Sequence, residues 1–189
     1  MIDIDYFNQC IEVLKQGGTI LFPTDTIWGI GCDATNQHAI DKVYALKNRK
    51  RTKPLIVLAS DIDMIKQYVD DIHPKVQTLL QYHTRPITVI YDHKQGLASN
   101  VISADNTIGM RIPQDKFCQE LISSFGNPIV ATSANISDDA FPKSFGEIKS
   151  IVLNKVDFTI PYRQNDASFL PPSAIVRLTK NEDLEFLRD

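Results

Sequence analysis

Apolar positions recur along this chain with two periods that take turns. Between residues 6 and 16, Phe7, Cys10, Ile11 and Leu14 fall on one helical face, and Gly17-Gly18 ends the run. A strand is predicted over 19–22, entering Pro23. Asn36 is placed to cap a helix whose inner face is Ile40, Val43, Tyr44 and Leu46. Pro54 precedes a buried strand over 55–59, and Asp61 can cap a short helix carrying Ile62, Ile65 and Val69. Pro74 suits the first turn of the next helix, with Val76, Leu79 and Leu80 inward. Strands are predicted over 87–91 and 107–112, with a loop over 95–106 between them. Phe117, Leu121 and Ile122 mark an amphipathic helix over 114–125 that Gly126 closes. A short strand over 128–131 leads to the polar turn Thr132-Ser133-Ala134-Asn135. Ser144 and Glu147 have capping-box spacing ahead of Ile148, Ile151 and Val152. The segment 162–172 reads as a loop, and 173–178 with 184–187 as a closing pair of strands.

Strands interleaved with helices imply a sheet with helices packed on it, a mixed α/β (α+β) architecture. Several strands lie too close in sequence for helical crossovers, so the sheet is expected to be mixed rather than purely parallel. No repeat or low-complexity linker divides the chain, and 189 residues fit one domain over 1–189.

Composition narrows the function. Apolar residues make up 43% and charged residues 23%, enough for a core without disulfide or metal staples. Net charge is −3, so any polyanion site must be a local cationic cluster. The longest apolar runs fall far short of the roughly 20 residues needed to cross a bilayer. Met1-Ile2-Asp3-Ile4-Asp5 lacks the basic start of a signal peptide, so a cytoplasmic protein without membrane attachment is expected. Cys10, Cys32 and Cys118 are odd in number and widely spaced, which reads as buried reduced thiols. His38, His73, His83 and His93 show no metal-ligand spacing.

The candidate chemistry lies in five segments. Lys47-Asn48-Arg49-Lys50-Arg51-Thr52-Lys53 has five cationic residues out of seven, between a helix end and a buried strand. Cations at a helix C-terminus suit the macrodipole, so a solvated basic turn is one reading. Anchorage at a strand end, where ligands bind in such sheets, favours an anion site. A cation and a phosphate about 4 Å apart attract by about 4 kcal/mol at an effective dielectric near 20, so several could hold a triphosphate. Pro23-Thr24-Asp25-Thr26-Ile27-Trp28-Gly29-Ile30-Gly31 reads either as a plain turn or as a grip of hydroxyls and close backbone on a polar small molecule. Thr132, Ser133 and Asn135 end a strand and fit a cap, an Asx-turn or a ligand site. Arg111, alone in a strand pattern, needs a carboxylate from the protein or from a substrate. Ser173 begins the penultimate strand. There is no G-x-x-x-x-G-K-[ST], G-x-G-x-x-G or G-x-S-x-G, which leaves the P-loop, dinucleotide and nucleophile-elbow mechanisms without support.

Taken in order, these segments resemble the YrdC/TsaC family of threonylcarbamoyl-AMP synthases over nearly the whole chain. The resemblance rests on P-T-D-T-x-[YW]-G-x-G at 23–31, K-x-R…K at Lys47, Arg49 and Lys53, R-x-P at Arg111 and Pro113, and S-x-N at Ser133 and Asn135. It implies a twisted mixed sheet with helices on both faces and a concave basic cavity. It implies formation of L-threonylcarbamoyl adenylate and pyrophosphate from L-threonine, bicarbonate or CO2, and ATP. A downstream transferase complex then builds N6-threonylcarbamoyladenosine at position 37 of tRNA. By the same resemblance Lys47, Arg49, Arg51 and Lys53 neutralise phosphates, and Ser133 and Asn135 hold the nucleotide near the reacting phosphorus. Thr24, Thr132, Arg111 and Ser173 serve the threonine, Trp28 walls the pocket, and Arg188 lies near the nucleotide. No carboxylate pair stands ready for Mg2+, so that ion is expected on the phosphates.

The chain departs from the family pattern at several points. Trp28 stands where tyrosine is frequent. S-x-N-x-S-G continues here as Ser137-Asp138. Ala174 replaces a threonine and Arg177 an acidic residue. Asp189 follows the matched Arg188 where the family usually has glycine, and longer members carry a further C-terminal domain. Two other functions fit the same resemblance: a module binding tRNA or double-stranded RNA by its phosphates, and a YciO-like paralogue with another small substrate. Net charge and the lack of aromatics among the cations weigh against the RNA module. The synthase reading requires the 47–53 and 133–135 turns to meet at one hollow.

Overall fold

Local capping chemistry sets most helix boundaries in the computed structural model, which describes residues 4–166 and 170–188. Expectations for residues 1–3, 167–169 and Asp189 lie outside the described residues. The chain runs through α1 (Ile4–Lys15), β1 (Ile20–Phe22), β2 (Gly29–Asp33), α2 (Gln37–Lys47), β3 (Ile56–Leu58), α3 (Ile62–Lys66), α4 (Pro74–Tyr82) and β4 (Ile87–Asp92). It continues through β5 (Thr107–Arg111), α5 (Lys116–Phe125), β6 (Ile129–Ser133), α6 (Ser150–Leu153), β7 (Phe158–Thr159), β8 (Ala174–Leu178) and β9 (Leu184–Arg188). Asn36 caps α2 by accepting from the Ala39 N–H at 3.1 Å, Asp61 caps α3 through Met64 N–H at 2.8 Å, and Gly126 closes α5 in the left-handed region. Because α2 ends on Lys47, its cap positions the site below. Asn36→Ala should cost about 1 kcal/mol and lower the melting temperature by about 2–4 °C, read by thermal circular dichroism.

The strands form one mixed sheet in the order β7-β1-β2-β6-β3-β5-β4-β8-β9. β1 with β7, β3 with β5 and β4 with β8 are parallel, and the remaining neighbours are antiparallel. Side chains alternate between the faces of a strand, and the register carries that alternation across the sheet. Ile30, Cys32, Val57, Val89, Met110 and Val176 share one face and are buried in the core. The opposite face presents Gly29, Ile56, Gly109, Ala131, Ile90 and Ile175, and small residues at its centre leave it concave. No described helix is long and apolar enough to cross a membrane. All three cysteines are free and buried, and burial alone pushes the Cys10 thiol up to about 12.

Four expectations change. Residues 29–33 are a strand, not the end of a turn, because Gly29 and Gly31 occupy the concave face and erase the apolar alternation that marks strands. A Cβ at Gly31 would lie 2.7 Å from the Phe22 ring. Thr132 and Ser133 belong to β6, since the ladder to β2 continues through Ile30↔Thr132 and Gly29↔Ser133. The capping box does not form: Ser144 makes no side-chain cap, and Glu147 accepts from Lys143 N–H at 2.8 Å instead. The expected helix is split into a 3-10 turn at Phe145–Glu147 and the short α6, leaving Ile151 exposed. The two-residue β7 was not expected, being too short to show a period.

Candidate active site

A cavity of about 590 Å³ opens on the concave face of the sheet, within the size range of small-molecule sites. Its floor is aliphatic: Ile56 and Leu58 of β3, Ile90 of β4 and Ile175 of β8. Its rim carries the side chains of Arg49, Lys53, Arg111 and Arg188, and among the described residues no Asp or Glu lines it. Cations gathered at one hollow make a site for an anion in a chain of net charge −3, although Arg111 and Lys53 already carry the carboxylates of Asp25 and Asp138.

The cationic turn is built by its own backbone. Asn48 takes the left-handed conformation at φ 50° that ends α2. Arg49 then folds back, its Nε donating to Lys53 O at 3.1 Å and its Nη2 to Pro54 O at 2.8 Å. These bonds fix the guanidinium at the rim. Burial lowers Arg49 below the ordinary arginine range.

Lys47, for which the resemblance implies contact with phosphates, directs its ammonium at protein oxygens. Its side chain is buried behind the cavity and does not line it. Its ammonium donates to Ser133 O, to Asn135 O at 2.6 Å and to Asn135 Oδ1 at 3.0 Å. Three N–H donors thus meet three oxygens, the full capacity of an ammonium. Burial, then Arg49, push this group down to about 7. The backbone N–H of Ser137 completes the joint by donating to Lys47 O at 2.8 Å. Lys47 therefore tethers the segment after β6 to the end of α2, which brings the 47–53 and 133–135 turns together. Ser133 lines the cavity, and its Oγ donates to Asn135 Oδ1 at 2.6 Å. Asn135 is buried, with its Nδ2 donating to Asp139 O at 2.7 Å, so it supports Ser133 rather than facing the hollow. Thr132 lines the cavity.

A second region of the cavity is rich in hydroxyls. Thr24 Oγ1 donates to Ile27 O at 2.7 Å and lies 3.0 Å from Thr26 Oγ1. Thr88 Oγ1 and Ser173 Oγ lie 2.8 Å apart, both residues buried. Arg111 reaches the first of these pairs. Its Nη2 donates to Asp25 Oδ1 and its Nη1 to Thr26 Oγ1 at 3.4 Å. Asp25 Oδ2 also accepts from Gln114 N–H at 2.9 Å. The Arg111 and Asp25 side chains are 6% and 9% exposed, so this is a buried ion pair with one partner at the cavity wall. Burial pushes Arg111 down to about 10, which leaves it cationic at neutral pH. Its Nε has no hydrogen-bond partner. At the far rim Arg188 donates to Ser173 O through Nε at 3.0 Å and Nη2 at 2.7 Å, pinning β9 to the start of β8.

Two expected site residues fall elsewhere. Arg51 turns away to pair with Asp41 at 2.7 Å and lies over the Tyr44 ring, because its place in the turn faces the outer side of α2. Trp28 does not wall the main cavity. It packs on Phe145 with ring centroids 4.9 Å apart and borders a small adjoining pocket with Arg163 and Asp166. Sequence reasoning gave no separate role to Asp25, Thr26, Thr88, Ser103, Thr107 or Phe141. Thr88 had a usable signal: a hydroxyl at a period-two position inside an apolar strand. No group of three or more described His, Cys, Asp or Glu residues could hold a metal ion.

Comparison with known proteins places this architecture. The chain belongs to the Sua5/YciO/YrdC family, whose model, described as "Telomere recombination", matches residues 12–189. A Saccharophagus degradans protein named threonylcarbamoyl-AMP synthase is 36% identical over 129 residues, covering 68% of this chain and 68% of its own. A Methanocaldococcus jannaschii relative is 34% identical over 177 residues, covering 90% of this chain and 81% of its own. Among solved structures, P. abyssi Sua5 complexed with L-threonine shares the fold at 21% identity with a TM-score of 0.87. It covers 100% of this chain, which spans 55% of that protein's length.

Proposed function

We propose that this chain is an ATP-using enzyme that makes L-threonylcarbamoyl adenylate from L-threonine, bicarbonate or CO2, and ATP, releasing pyrophosphate. The observation that carries the reading is a single cavity with cations at one rim and, beside them, a hydroxyl-lined region holding a buried arginine. The names of relatives and the L-threonine in the P. abyssi structure support the same substrates. The product would supply a separate transferase complex that modifies tRNA.

The chemistry falls to positioning and charge. The neutral threonine amine attacks the carbon of CO2: an N–C bond forms as one C–O π bond opens onto oxygen, and the amine proton passes to bicarbonate or solvent, leaving a carbamate. A carbamate oxygen attacks the α-phosphorus, and the bond to the bridging oxygen breaks as pyrophosphate leaves with that electron pair. Arg49 and Lys53 sit where they would offset charge on the phosphates, and preorganised donors of this kind are the main lever in phosphoryl transfer. Ser133, held from behind by Lys47 and Asn135, presents its backbone and hydroxyl to the nucleotide. Arg111 would meet the threonine carboxylate, and Thr24, Thr132 and Ser173 its polar groups. With no Asp or Glu among the described lining residues, Mg2+ would enter bound to the phosphates rather than to a protein cage.

The test is release of labelled pyrophosphate from ATP, with and without threonine and bicarbonate. Turnover should require both, and Arg49→Ala should reduce it at least about tenfold, roughly 1.4 kcal/mol of transition-state stabilisation. ATP turnover indifferent to threonine would assign the chain to a paralogue with another substrate. Absence of turnover with tight, salt-sensitive RNA binding would make it a nucleic-acid module.

A further inference from the structure

Besides Arg111, a second cation of the cavity rim already has a carboxylate partner. Lys53 Nζ donates to Asp138 Oδ1 at 2.5 Å. Lys53 lines the cavity and Asp138 does not, so the carboxylate reaches in from the side. The two residues lie on different segments, Lys53 on the turn after α2 and Asp138 on the loop after β6. The Lys47 tether and the Ser137–Lys47 hydrogen bond join these segments at their buried base. The Lys53–Asp138 pair is an outer rung. Asp138 holds φ at 71°, a left-handed conformation that side chains usually avoid and that Asp and Asn tolerate best. The loop therefore presents this carboxylate from a backbone geometry most residues would resist. Lys53 first, then Lys50 and Arg49, hold the carboxyl below its usual range, so it is an anion at neutral pH.

We propose that Asp138 is a resident counter-anion on Lys53 that an incoming polyphosphate displaces, so that it sets the affinity of the cavity for nucleoside triphosphates relative to monophosphates. The inference rests on the ATP reading above. The pair is poised for exchange: the Lys53 and Asp138 side chains are 45% and 78% exposed, and ion pairs this open to water add little to stability. A ligand with several phosphate oxygens offers Lys53 and Arg49 more than one carboxylate can. Once displaced, Asp138 stays tethered at the rim and repels the bound polyanion. That repulsion grows with ligand charge, so it bears on ATP far more than on AMP.

The test is calorimetric titration of magnesium-ATP and of AMP, without threonine, into the wild type, Asp138→Asn and Asp138→Gly. Glycine relieves the left-handed backbone and asparagine keeps the side-chain shape, so both variants should fold. Both should bind ATP about three- to fivefold more tightly and AMP within about twofold of wild type, with the gain shrinking as salt rises. In a Lys53→Met background the Asp138→Asn gain should shrink to the part due to repulsion alone, and a gain as large as in the wild-type background would overturn displacement from Lys53. ATP affinity unchanged or weakened in both variants would overturn the inference alone. An equal gain for AMP would overturn it too, by showing a general opening of the rim. Failure of every protein to bind ATP would overturn the nucleotide reading and this inference together.

Discussion

Lys47→Met should lower threonine-dependent pyrophosphate release at least about tenfold although the residue lies behind the cavity. Methionine approximates the length of the lysine stem but donates nothing to Ser133 O, Asn135 O and Asn135 Oδ1. The segment after β6 would lose its tether, and Ser133 would no longer be held against the rim. Leaving buried oxygens unpaired costs about 1–3 kcal/mol. Burial of the ammonium works in the opposite direction, and pH separates the two effects. Lys47 is pushed down to about 7 in the folded chain from an ordinary 10.5. Between those values the unfolded chain binds more protons than the folded one, so wild-type stability rises with pH, by up to about 1.4 kcal/mol per unit. Below about 7 the cost of the buried charge is fully present. Lys47→Met lacks this dependence. Urea denaturation at pH 6 and pH 9 should therefore find the variant further below wild type at pH 9. A gap that is constant with pH would contradict the burial of a titrating ammonium.

The largest loss of stability is expected from Arg111→Ala. Removing one member of a buried ion pair leaves the other uncompensated, at about 3–5 kcal/mol. Here the stranded group is Asp25, whose side chain is 9% exposed. Activity should disappear as well, but an unfolded variant would say little about threonine. The informative protein is Asp25→Asn combined with Arg111→Met. Replacing both charges with groups of similar size comes close to neutral for stability, so denaturation should show most of the loss recovered. Pyrophosphate release should stay absent, because the donors for the threonine carboxylate are gone. Recovery of both stability and threonine dependence would remove Arg111 from the site.

Legibility from sequence followed the kind of signal each feature leaves. The helix caps at Asn36, Asp61 and Gly126 were readable because capping is local. β2 was not, since the glycines that make its concave face are the residues that hide a strand pattern. The candidate residues could be listed from the sequence, but their contacts could not. Lys47 and Arg51 sit four residues apart in one cationic run, yet one is buried under Asn135 and the other lies on Asp41 at the surface. That difference depends on where α2 ends and on the loop that covers it, neither of which a count of charges contains. The Asp25–Arg111 pair spans 86 positions, so the need of Arg111 for a carboxylate could be read while its owner could not. Asp138 was visible as a departure from pattern, and only its backbone angle and its contact with Lys53 gave it a physical meaning.

Gly29, Gly109 and Ala131 give the cavity its depth by what they lack. A Cβ at Gly109 would sit 3.3 Å from Thr88 Cγ2, tighter than ordinary contact, so Thr88 would have to give by a few tenths of an ångström. Larger residues at these three positions would shrink the chamber from its floor. Substrate size in this scaffold can thus drift through single changes in the middle of the sheet.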